Sequence, residues 1–216
     1  MMFLLEEMRG AEEEFRRLRS EGHAKVTVFL TLTGVAVGLV GTISGIKGID
    51  GSAVERVALA AAVVVALIGT NTFVSLVVRD IGTDACARAT ARVRQYFLAR
   101  HPDVADHVSW QRIDAPTVWV TRPRSLARRQ VSVITAGAWG AAAGTLCLLV
   151  LPHDVHRHGA QLSGVDLPGV HLPGALLALG VGVGVAAAAW TLLTRWAGGR
   201  FRTVAARAAR EQRFHA

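Results

Sequence analysis

The sequence predicts an all-α integral membrane protein with four transmembrane helices, arranged as two antiparallel hairpins and flanked by cytoplasmic amphipathic helices. Three observations carry that prediction. Hydrophobic residues make up 51% of the chain and charged residues only 19%, with a positive mean hydropathy, the composition of the membrane class. The apolar residues are gathered into four runs without a single Asp, Glu, Lys, Arg or His. The basic residues are gathered just as unevenly, into alternate connecting segments.

The runs are Val26–Ile46 (21 residues), Val57–Val78 (22), Val131–Pro152 (22) and Leu172–Thr194 (23). A hydrocarbon core of about 30 Å needs roughly 20 helical residues at 1.5 Å each, so every run is long enough to cross it. Core helices of a water-soluble protein are usually shorter and keep a polar stripe. Transmembrane β-strands would show alternating segments of about ten residues instead. The first run follows a charged leader and lacks the small-residue cleavage pattern of a secretory signal, so it is expected to remain as a span.

Orientation follows from the basic residues. The leader 1–25, the segment 79–130 and the tail 195–216 hold 21 Lys and Arg, whereas the hairpin connections hold three: Lys47, Arg56 and Arg157. By the positive-inside rule the leader, middle segment and tail are cytoplasmic. The expected location is the cell membrane, of bacterial inner-membrane type, crossed several times with both termini cytoplasmic. The same asymmetry accounts for the net charge of +8. Basic residues beside spans serve orientation and anionic headgroups first, so membrane lipids are expected partners and nucleic acid is not. Cys86 and Cys147 are too few and too differently placed for a disulfide framework.

In chain order, residues 1–25 form an amphipathic helix, with Leu4, Met8, Ala11, Phe15 and Leu18 spaced as a helix seam. Glu12 to Arg16 and Glu13 to Arg17 are i,i+4 pairs in the favourable order. Residues 26–78 are the first hairpin, closed by the short glycine-rich connection from Lys47 to Ser52. Residues 79–130 are the Arg-rich cytoplasmic segment. It should continue the second span as a helix to about Arg100, where His101-Pro102 breaks it. Residues 131–194 are the second hairpin, with a His/Gly/Pro-rich outer loop at 152–173. The tail 195–216 is a basic amphipathic helix with Gly198-Gly199 as an expected hinge. Phe201, Val204, Ala205 and Ala208 share one of its faces, suited to a membrane surface or to packing on the middle segment.

Within the outer loop, residues 160–174 read Ala-Gln-Leu-Ser-Gly, Val-Asp-Leu-Pro-Gly, Val-His-Leu-Pro-Gly. This resembles the pentapeptide-repeat family, which winds four such units into each coil of a square β-helix. Three units cannot complete a coil, so the segment is expected to be a rigid repetitive turn.

The chemistry is defined first by an absence. Ionisable groups inside the bilayer mark proton relays, ion pathways and redox sites, and no run contains one. The chain also lacks a phosphate-binding glycine loop, a nucleophile elbow and a paired-cysteine metal motif. The expectation is a protein that is not an enzyme and has no cofactor. His153, His156 and His158 are weak metal candidates, because Arg157 between them opposes a cation.

The runs carry small and weakly polar residues instead. Span one aligns Thr27, Thr31, Gly34, Gly38, Gly41 and Gly45 at spacings of three and four. Gly140 and Gly144 in span three, and Gly180 and Gly184 in span four, repeat the small-xxx-small pattern that lets helices approach closely. Span two holds the concentrated polar patch, Thr70, Asn71, Thr72 and Ser75. Thr31, Asn71 and Ser75 are therefore the candidates for a polar path or an interhelical hydrogen bond. Arg122, Arg124, Arg128 and Arg129, with Arg200, Arg202, Arg207 and Arg210, are the candidates for lipid or partner docking.

Two functions fit. One is a channel or pore-type membrane effector, assembled from several copies and gated from its cytoplasmic face. The order of charged helix, two-span hairpin and charged helix resembles the membrane effectors of bacterial defence systems, and that resemblance implies the same kind of assembly. The other is an accessory or scaffold subunit whose Arg-rich surface docks a partner membrane protein or anionic lipid.

Overall fold

The structure, a computed structural model, describes residues 2–47, 49–103, 126–150 and 172–214. These form four helices: α1 (Met2–Ser44), α2 (Gly51–Arg100), α3 (Leu126–Val150) and α4 (Leu172–Phe214), with no strand among the described residues. All four are long and apolar enough to cross a membrane. The protein is therefore a multi-pass α-helical membrane protein by length and composition.

Helix length separates α3 from the rest. Its 25 residues are little more than the roughly 20 that a bilayer core needs. At 43, 50 and 43 residues, α1, α2 and α4 are each more than 60 Å long at about 1.5 Å per residue. Each continues from its apolar run into a charged segment without a break. The end of α2 at Arg100 follows from Pro102, which has no N–H to continue the ladder; the last bond runs from the His101 N–H to the Phe97 carbonyl, 2.9 Å. Pro173 is tolerated because it falls in the first turn of α4, where backbone N–H groups have no helical acceptor.

The start of α2 is set by Asp50. Its carbonyl accepts the N–H groups of Ala53 (2.9 Å) and Val54 (3.3 Å), and its carboxylate accepts the Ser52 hydroxyl. That hydroxyl bond, and then the Ser52 backbone N–H, hold the Asp50 carboxyl below its ordinary pKa.

The expected hinge at Gly198-Gly199 does not occur, because α4 runs through both glycines. Two glycines cost a helix about 2 kcal/mol against alanine, but the flanking side chains bracket the pair. Arg200 stacks over the Trp196 ring at 5.6 Å, and Arg202 Nε donates to the Gly198 carbonyl at 3.3 Å. The leader pairs also differ from expectation. Arg17 bonds forward to Glu21 (3.0 Å) and approaches Glu14 (4.0 Å), while Glu12 reaches Arg94 of α2 (3.7 Å). The Glu21 hydrogen bond and the charges of Glu21 and Glu14 raise the pKa of the exposed Arg17 further.

The chain divides into two units. The first comprises Met1–Lys25, Val74–Ser125 and Trp196–Ala216. In it α1 and α2 run antiparallel, with Gly22 against Arg79, Leu18 against Gly82 and Glu12 near Arg94. Leu76 and Val77 of α2 and Ala197 of α4 are buried there.

The second unit comprises Val26–Phe73 and Leu126–Arg195. Its core is Phe29 of α1, Val65, Ala66 and Phe73 of α2, Val131, Thr135, Ala136 and Ala142 of α3, and Ala178 of α4. Gly69 lies where α1, α2 and α3 meet, with Thr135 and the Phe29 ring closing on the space a Cβ would fill. On the outside, large apolar side chains are bare: Val35 and Val37 of α1 are 62% and 68% exposed, Leu179 and Leu192 of α4 65% and 68%. Leaving each of these in water forgoes roughly 1.5–3 kcal/mol of burial, which a bilayer restores.

Candidate functional site

Within the apolar runs, polar groups separate into those satisfied inside the chain and those that are not covered. Thr70 Oγ1 donates to the Ala66 carbonyl at 2.8 Å and accepts the Trp139 indole N–H of α3 at 3.3 Å. Thr135 is fully buried and donates to the Val131 carbonyl at 2.7 Å. Thr72 is buried and Ser75 half-buried.

Thr31 and Asn71 are exposed on α1 and α2. A threonine hydroxyl can return its proton to its own helix, as Thr33 does to Phe29 and Thr42 to Gly38, both at 2.8 Å. An asparagine amide has two donors and an acceptor and cannot be satisfied so simply. Left without a partner in hydrocarbon, such a group costs about 2–7 kcal/mol. The Asn71 side-chain amide makes no hydrogen bond among the described residues.

The glycines divide in the same way. Gly140 and Gly144 of α3 meet α4 at backbone distance: a Cβ on Gly140 would lie 2.5 Å from the Gly182 carbonyl oxygen and 2.8 Å from Ala186 Cβ, and one on Gly144 3.1 Å from the Ala178 carbonyl oxygen. The α4 glycine at this crossing is Gly182. Gly180 and Gly184 are exposed, with nothing within 4 Å of the space a Cβ would take among the described residues. On α1, Thr27, Thr31, Gly34, Gly38, Gly41 and Gly45 are all exposed. Gly34, Gly38 and Gly41 likewise have nothing within 4 Å, and Gly45 meets only backbone oxygens of its own helix. The whole Gly/Thr face of span one is thus uncovered by the described chain.

In the first unit the structure assembles a group that the residue pattern alone had not singled out. Asp80 and Asp84, one turn apart on α2, are 6% and 5% exposed. Arg79 Nη2 meets Asp80 Oδ1 at 2.9 Å, and Arg88 Nη2 meets Asp84 Oδ2 at 2.8 Å. Gly22 of α1 leaves the room that the Arg79 side chain occupies, since a Cβ there would overlap the guanidinium. Asp80, Ile81, Asp84 and Arg88 face Phe201, Val204 and Ala205 of α4 across a crevice of about 10 Å³, room for roughly one water. The apolar face of the tail therefore packs on α2 within this unit. Both ion pairs lie within α2, at the place where Gly22 of α1 and the apolar face of α4 pack on it. Their signal in the sequence is legible afterwards: Asp80 and Asp84 are the only acids in the Arg-rich half of α2, directly behind the apolar run, with Asp84 at ion-pair spacing from Arg88.

Of the docking arginines, Arg129, Arg200, Arg202, Arg207 and Arg210 are exposed and Arg128 is half-buried. Arg122 and Arg124, and His153, His156 and His158, lie outside the described residues. Among those described, no group of three His, Cys, Asp or Glu is placed to hold a metal ion.

These features define a class, the polytopic α-helical membrane proteins. No family model, curated protein or solved structure matches the chain significantly.

Proposed function

We propose that the protein is a non-enzymatic, oligomeric four-span protein of the cell membrane that forms a channel or pore, gated from its cytoplasmic face. The leader, the 79–130 segment and the tail are cytoplasmic in this reading, and the four spans form two antiparallel hairpins. The observation that carries it is the uncovered face of α1, from Thr27 through Thr31, Gly34, Gly38 and Gly41 to Gly45. Small and weakly polar residues give lipid little to pack against, but they let helices approach or water pass without a fixed charge. Gating is supported by helix continuity. A displacement of the charged half of α1 or α2 is carried into its apolar half, with the contacts of Gly22 with Arg79, Leu18 with Gly82 and Glu12 with Arg94 setting the resting position.

One observation favours the second reading, an accessory or scaffold subunit. The exposed Arg200, Arg202, Arg207 and Arg210 lie along one continuous helix, where each basic residue near an anionic surface adds about 1 kcal/mol of attraction. Purification in mild detergent, mass measurement and planar-bilayer recording separate the two. The pore reading expects a closed homo-oligomer and discrete currents that Gly38→Leu abolishes. A monomer without currents transfers the protein to the scaffold reading.

A further inference from the structure

We propose that α2 pairs with α2 of a second copy of this chain, through a seam of Ala60, Val64, Leu67 and Val78 centred on Asn71. All five residues are exposed. From Ala60 to Asn71 they follow at spacings of four, three and four, and with the half-buried Val74 the series reaches Val78 at three and four more. That alternation keeps one seam of a helix facing a partner helix along its length. The seam covers 19 residues, a rise of about 27 Å, which matches the hydrocarbon core. Past it, the next exposed charge on this side is Arg92, where two parallel copies would repel, so close pairing is confined to the apolar stretch.

Asn71 selects the occupant. It lies about 5 Å from the middle of its run, counting 1.5 Å per residue, so neither water nor headgroups reach it by a short path. Lipid tails can neither donate to its carbonyl nor accept from its amide. A second asparagine at the same height does both, because the group is its own complement, and a two-fold axis along the membrane normal brings the two together. The rest of α2 is committed within the chain: Gly69 faces Phe29 and Thr135, and Thr70 holds Trp139. The pairing requires only that the chain span the membrane. It stands under either the pore or the scaffold reading.

The test uses the full chain in vesicles, with Cys86 and Cys147 changed to serine. Oxidative crosslinking of Val64→Cys, Leu67→Cys and Val78→Cys is expected to give covalent homodimer, and Leu179→Cys, exposed on α4, is not. In a dilution series followed by energy transfer between labelled copies, Asn71→Leu is expected to weaken self-association about tenfold, and Asn71→Gln, which keeps both donor and acceptor, to retain it. Since Asn71 is exposed, the leucine variant should still fold, and the crosslinks are read with Asn71 intact in any case. Equal crosslinking at Leu179, monomer or a product with another protein at the α2 positions, or unchanged energy transfer in Asn71→Leu overturns the proposal. Homodimer without current removes the pore reading and leaves this one standing.

Discussion

Span one and the crossing of spans three and four carry the same small-xxx-small pattern, and they use it in opposite ways. At Gly140 and Gly144 the missing side chains let α3 touch the α4 backbone at Gly182 and Ala178. At Gly34, Gly38 and Gly41 nothing from the described chain comes near. The first is a contact already made. The second is a surface kept free of side chains with no partner among the described residues, and it is the basis of the proposed assembly.

The comparison predicts a steep order of effects for substitutions of one residue type. Gly140→Leu should be the most damaging, because a Cβ alone already overlaps the Gly182 carbonyl. A loss of about 3 kcal/mol or more is expected, read as a fall in thermal stability in detergent. Gly69→Ala should follow at about 1–2 kcal/mol, its clash with Thr135 and Phe29 partly offset by alanine's better helix propensity. Gly38→Leu should move monomer stability by no more than about 0.5 kcal/mol while removing conductance. If it unfolded the chain as Gly140→Leu does, the distinction between the two surfaces would be gone.

The smallest effect concerns pH. Asp50 has a depressed pKa in the folded chain, so its contribution is present above the unfolded value near 4 and is lost as pH falls through the lower folded value. Protection of the first-turn amides of α2, taken relative to their intrinsic exchange rates, should fall between pH 6 and pH 3 as the Asp50 carboxylate is protonated, and Asp50→Ala should remove that fall. Identical protection factors at both pH values would remove the capping role from Asp50.

Much of the fold was legible from residues alone. Uncharged runs of more than 20 residues mark the spans, and Pro102 marks the end of α2. Which small face a span uses was not legible, and the fourth span shows why. In Ala178-Leu-Gly-Val-Gly-Val-Gly-Val-Ala186, Gly180 and Gly184 form one small face, and Ala178, Gly182 and Ala186 form another. Both have i,i+4 spacing, so periodicity cannot choose; only the neighbour does. Gly198-Gly199 failed as a hinge for a similar reason, since packing of Ala197, Phe201, Val204 and Ala205 outweighs the local preference of two glycines. Of the polar candidates, Asn71 and Thr31 are exposed on separate helices and Ser75 is half-buried. The Asp80 and Asp84 ion pairs were not legible because their arginines are already accounted for by membrane orientation.

Cysteine scanning of α1 from Thr27 to Gly45 in reconstituted vesicles, with a membrane-impermeant thiol reagent, tests the central claim most directly. The account predicts labelling at Thr31, Gly34, Gly38, Gly41 and Gly45, and protection at Val35, Val37 and Leu39. Uniform protection along α1, equal to that of Leu179→Cys on α4, would contradict it.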